Sequence, residues 1–72
     1  INMRKLSIFR NGESVGFCMI FHNEISQLGN LRISDDSEMV KTIIDQIMRI
    51  PYSGDPGIFI YGDTYSWKFE EL

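Results

Sequence analysis

The chain has 72 residues, 43% of them hydrophobic, with no alanine and eleven isoleucines, and reads as one small globular domain over 1–72. A domain of this size buries only about 60% of the surface its unfolded chain exposes, so its stability margin is thin. Seven basic against ten acidic side chains leave a net charge of −3, which argues against a general nucleic-acid binder with its basic surface.

Cys18 is the single cysteine, so no internal disulfide forms and the disulfide-stapled secreted class is excluded. No apolar run approaches the roughly 18 residues of a membrane span. The first apolar stretch is interrupted by Ser7, Arg10 and Asn11 and does not read as a signal peptide. The expectation is an intracellular, cytoplasmic protein with no membrane association.

Taken in chain order, Arg4 to Arg10 and Ser14 to His22 are strand-like segments flanking Asn11-Gly12, the dipeptide best suited to a two-residue type I′ turn. Pairing Arg10 with Glu13 sets Leu6 opposite Phe17 and Ile8 opposite Val15. Strict alternation then gives one face to Leu6, Ile8, Val15, Phe17, Met19 and Phe21. The other face receives Lys5, Ser7, Phe9, Ser14, Gly16, Cys18, Ile20 and His22. Residues 23–33 carry turn signals at Asn23-Glu24 and Gly29-Asn30. Within them, 31–33 reads either as a third strand or as a loop across the core edge.

A helix follows. Ser34 or Asp35 caps it, and Asp35 with Glu38 matches a capping box. Asp35, Asp36 and Glu38 sit where the helix dipole favours negative charge. Val40, Ile43, Ile44, Ile47 and Ile50 recur at three- and four-residue spacing, with Met39 and Met48 at the margins. This predicts one amphipathic helix of about four turns, ended by Pro51. Tyr52 to Gly57 is a dense loop signal. Ile58 to Tyr61 and Tyr65 to Glu70 read as a second hairpin around Gly62-Asp63-Thr64. Ile58, Ile60, Tyr65, Trp67 and Phe69 share one of its faces, and Phe59, Tyr61, Ser66, Lys68 and Glu70 the other.

The predicted class is therefore α+β, a four-stranded sheet with one packed helix in β-β-α-β-β order, the order of the β-grasp architecture. The alternative is a five-stranded β-β-β-α-β-β meander that uses residues 31–33.

The motifs that suggest chemistry have structural explanations. Gly12-Glu13-Ser14-Val15-Gly16 spells the G-x-S-x-G nucleophile elbow of α/β hydrolases. Here it falls in a hairpin turn, with the single histidine, His22, some 26 Å along the strand. One cysteine and one histidine do not complete a zinc site. The acidic residues before the helix lack the spacing of a calcium loop, and Gly54-Asp55-Pro56-Gly57 lacks the lysine and following helix of a phosphate loop. The expectation is a protein without catalysis, metal or cofactor.

One signal is left. With the helix on the first face, the opposite side of the sheet carries Phe9, Cys18, Ile20, Phe59 and Tyr61, bordered by Lys5, His22 and Lys68. An uncovered sheet face is ordinarily polar, so this set marks an interaction surface. The predicted partner-binding residues are Phe9, Ile20, Phe59, Tyr61, Lys5 and Lys68.

Charge is also divided along the chain. Residues 1–34 hold four basic against two acidic side chains, a balance of +2. Residues 35–72 hold three against eight, a balance of −5. Such a field steers a basic protein partner. The expected function is a protein-binding domain serving as a small inhibitor, adaptor or regulator, of the size and charge of phage and mobile-element proteins directed at host proteins. Two alternatives are a single-stranded nucleic-acid binder that stacks bases on Phe9, Phe59 and Tyr61, and a homodimer formed through the sheet face.

Overall fold

The computed structural model describes residues 3–50 and 54–72, apart from the side chains of Asp55 and Pro56. Five strands and one helix follow in the order β1 (Met3–Arg10), β2 (Glu13–Phe21), β3 (Glu24–Leu31), α1 (Ser37–Met48), β4 (Gly54–Ile60) and β5 (Asp63–Glu71). The strands form one antiparallel sheet in the order β3-β2-β1-β5-β4. The α+β class is as expected, but the sheet has five strands where four were predicted.

The additional strand changes more than the count. In a hairpin–helix–hairpin chain the first and last strands run parallel. Inserting β3 adds one reversal before the helix, so β5 lies antiparallel to β1 and the topology departs from that of the β-grasp. The element order is that of the five-stranded alternative, with the third strand at Glu24–Leu31 rather than at 31–33.

β3 was hidden from a period-two reading because its pairing with β2 shifts register twice, between Phe17 and Met19 and between Met19 and Ile20. Each bulge inserts a residue. The apolar side chains Ile25, Leu28 and Leu31 consequently recur every third position.

A bulge also rewrites the face assignment of β2. The turn register is as expected, with Arg10 opposite Glu13 and Phe9 opposite Ser14, but Ser7 rather than Leu6 pairs with Phe17. Ile8 therefore spans both Val15 and Gly16. Gly16 adopts φ +104, and a Cβ there would collide with the backbone carbonyl of Asn30 on β3. Beyond this point every side chain of β2 is on the opposite side from the one strict alternation assigns. Cys18 and Ile20 enter the core, at 1% and 0% exposure. Phe17, Met19 and Phe21 go to the outer face. The placement of Ile20 on the outer face is thus corrected.

The core consists of Leu6, Ile8, Val15, Cys18 and Ile20 from the first hairpin, Ile33 from the connection, Ile43, Ile44 and Ile47 from the helix, and Tyr65 and Trp67 from β5. Each fully buried isoleucine or leucine contributes about 1.5–3 kcal/mol relative to exposure. The helix stripe is the predicted one, with Met39, Val40, Met48 and Ile50 half-buried at its margins.

Its cap is one or two residues later than expected. Asp36 Oδ1 accepts from the backbone N–H groups of Glu38 at 3.0 Å and Met39 at 3.3 Å, while Ser34 Oγ accepts from Asp36 N–H at 3.0 Å. The helix ends at Met48, with Arg49 N–H donating to the Gln46 carbonyl at 3.3 Å and Ile50 N–H to the Ile47 carbonyl at 3.0 Å. Pro51, the predicted terminator, lies outside the described residues, as do Tyr52 and Ser53 of the predicted loop. The rest of that loop signal is strand. Gly54 pairs with Trp67, and a register shift before Ile58 absorbs Asp55 to Gly57.

Candidate functional site

Helix α1 covers one face of the sheet, and the alternation of the strands decides what the other face shows. β1 sends Lys5, Ser7 and Phe9 outward, β2 sends Phe17, Met19 and Phe21, β5 sends Ser66, Lys68 and Glu70, and β4 sends Phe59. Of the predicted partner-binding residues, Lys5, Phe9, Phe59 and Lys68 share this face. Ile20 is opposite, and Tyr61 sits in the turn beyond β4.

Phe17, Met19 and Phe21 are the residues the sequence reading placed wrongly, and they make the outer face more apolar than expected. The only sequence signal that reveals them is Gly16 itself, since an isolated glycine within a strand pattern marks a bulge. Lys5 lies over one of them, its Nζ 4.6 Å from the centroid of the Phe17 ring. The lysine stem and charge thereby shield part of an aromatic surface that carries no helix above it among the described residues.

Among the described residues the most exposed aromatics are at one end of the sheet. Phe59 is 75% exposed and Tyr61 58%. Tyr61 and Gly62 form the β4–β5 turn with φ of 53° and 84°, nearly the values of Asn11 and Gly12 in the β1–β2 turn, 52° and 86°. Positive φ at the first turn position suits asparagine, whose short polar side chain tolerates it, and is costly for a bulky aromatic. The two turns lie at the same end and are joined. Asn11 N–H donates to the Thr64 carbonyl at 2.8 Å, Thr64 N–H to Asn11 Oδ1 at 3.0 Å, and Asn11 Nδ2 to Asp63 Oδ1 at 2.9 Å. Tyr61 is therefore held on a braced turn.

On the helix side, a groove of about 590 Å³ runs between β3 and α1. Ile25, Leu28 and Leu31 form one wall, Val40 and Ile44 the other, and Asp35, Glu38 and Lys41 lie along its rim. Ile25 and Leu28 are 37% and 47% exposed, although their strand neighbour Ile20 is fully buried.

The geometry brings no catalytic pair together at Ser14. Its Oγ accepts from Gly16 N–H at 3.2 Å, while His22 occupies the turn at the far end of β2. Among the described residues no three of histidine, cysteine, aspartate and glutamate cluster as metal ligands, and no helix is long and apolar enough to cross a membrane. Burial pushes the Cys18 thiol up to about 11, so it is protonated and unreactive near neutral pH.

No protein-family model, curated protein or solved structure matches this chain.

Proposed function

We propose that the chain is a non-enzymatic protein-binding domain that docks its partner on the uncovered sheet face. Phe59, Tyr61 and Phe9 act as anchors, with Lys5 and Lys68 beside them. Inhibitor, adaptor and regulator are the roles open to so small an acidic domain.

The observation that carries this reading is Tyr61. A residue held at φ 53 with its ring mostly in solvent gains little from its own fold, and backbone strain of this kind concentrates where function requires it. Exposed aromatics are also the side chains that most often supply the energy of an interface. Nucleic-acid stacking on the same face is disfavoured by Glu70, which the register sets beside Lys5 among the aromatics, where it repels phosphate.

Tyr61→Asn provides the test because it separates folding from binding. Asparagine suits the turn, so the variant should be more stable than the wild type by up to about 1 kcal/mol in chemical denaturation. Affinity capture from native host cells should nevertheless lose the partner with Tyr61→Asn or Phe59→Ser as bait. Equal capture by wild type and both variants would overturn the proposal.

A further inference from the structure

We infer that the groove between β3 and α1 binds a basic amphipathic helix of a partner protein, which completes the helical layer on that side of the sheet. This site is separate from the aromatic hairpin tip and does not depend on it.

Five strands span about 19 Å at roughly 4.8 Å per spacing, whereas one helix with its side chains covers about 10 Å. α1 seals the residues beneath it: Leu6 and Ile8 on β1, Cys18 and Ile20 on β2, and Tyr65 and Trp67 on β5 are each at most 3% exposed. On β3 the cover ends. Ile25 and Leu28 remain over a third exposed, and with Leu31 they face Val40 and Ile44 across a groove of about 590 Å³. The uncovered strip lies along β3 and, together with the flank of α1, presents apolar walls on two sides.

Strand addition is the competing mode, and the edge of β3 is poorly suited to it. Two register shifts within eight residues interrupt the regular spacing of N–H and C=O groups that a paired strand requires. Recognition there falls to side chains, as when a helix lays its i, i+3/i+4 and i+7 anchors in a groove. The rim sets the charge of the guest. Asp35 and Glu38 are both exposed, and Lys41 is the one cation beside them among the lining residues. Lysine or arginine on the guest's polar flank complements this rim, whereas glutamate meets like charge.

The probe is a synthetic amphipathic helix of about sixteen residues with leucine on one face and lysine on the other, compared with a counterpart carrying glutamate for lysine. The lysine peptide should bind saturably by fluorescence anisotropy at low salt, and the glutamate peptide at least tenfold more weakly. Leu28→Glu should weaken the lysine peptide at least tenfold, even though it adds negative charge, because it removes an apolar wall. Leu28 is exposed enough for that variant to fold, which circular dichroism checks. Phe59→Ser should leave this binding unchanged, so failure here and failure of the hairpin-tip site are told apart. Equal binding of the two peptides, or an affinity that Leu28→Glu leaves intact, would overturn the inference. So would sedimentation showing a dimer that Leu28→Glu dissolves, because a second copy would then occupy the groove.

Discussion

The two faces of the sheet carry similar sets of large apolar side chains and treat them differently. Beneath α1, Leu6, Ile8, Cys18, Ile20, Tyr65 and Trp67 are sealed. On the other side Phe9, Phe17, Met19 and Phe21 are half-buried and Phe59 stands in solvent. Hydrophobicity does not account for the difference, since phenylalanine is as apolar as the isoleucines it backs. Burial is decided by what lies across from a side chain, and on the outer face Phe17 has only the Lys5 side chain over it among the described contacts, while the His22 ring meets Phe21 edge-on. The comparison also shows how one residue allots side chains to faces. Without the extra position at Gly16, Phe17, Met19 and Phe21 would be under the helix and Cys18 and Ile20 outside.

The severest way to break this division is Gly16→Ala. The new methyl would meet the Asn30 carbonyl while forcing alanine to φ +104, and the expected loss is about 3 kcal/mol or more in chemical denaturation. A loss under about 1 kcal/mol would mean that the bulge is soft and does not fix the faces.

The adjacent pair Ile20 and Met19 sharpens the comparison directly. Ile20→Ala should cost about 2–4 kcal/mol, as removal of a buried side chain does, and Met19→Ala less than about 1 kcal/mol. Reversed magnitudes would restore the strict alternation.

The smallest effect concerns Tyr65, fully buried on the helix side, whose hydroxyl has no hydrogen-bond partner among the described residues. Burying an unpaired hydroxyl is unfavourable. Tyr65→Phe should therefore be neutral or stabilising by up to about 1 kcal/mol. A loss beyond that would reveal a bond to the phenol and make the helix-side core less uniformly apolar than it is here.

Much of this fold was legible in the sequence where local chemistry and period agreed. Asn11-Gly12 fixed its hairpin register, the isoleucine spacing from Val40 to Ile50 marked the buried side of α1, and Tyr65, Trp67 and Phe69 alternated inward as read. Bulges defeated the rest. A period-two rule has no means of registering an inserted residue, so it failed within β2 after Gly16, throughout β3, and between Gly54 and Ile58. The candidate surface shared that fate. Phe9 and Phe59 fell on the outer face as expected, being in stretches without an intervening insertion, while Ile20 did not because it follows Gly16. The groove beside α1 is not legible in the sequence, since it needs Ile25 and Leu28 on a strand that alternation does not show.

The antiparallel contact between β1 and β5 has a consequence for how chain entropy is spent. The other three strand pairings join sequence neighbours through two-residue turns, and such short loops are inexpensive to close. The β1–β5 pairing, from Arg10 opposite Tyr65 to Arg4 opposite Glu71, is the one that encloses a long stretch of chain. Bringing together residues about 55 apart costs on the order of 3–4 kcal/mol by the logarithmic loop law. That penalty falls on a single seam. Asn11 fastens one end of it through Asp63 and Thr64, and at the other end Leu72 N–H donates to the Met3 carbonyl at 3.0 Å.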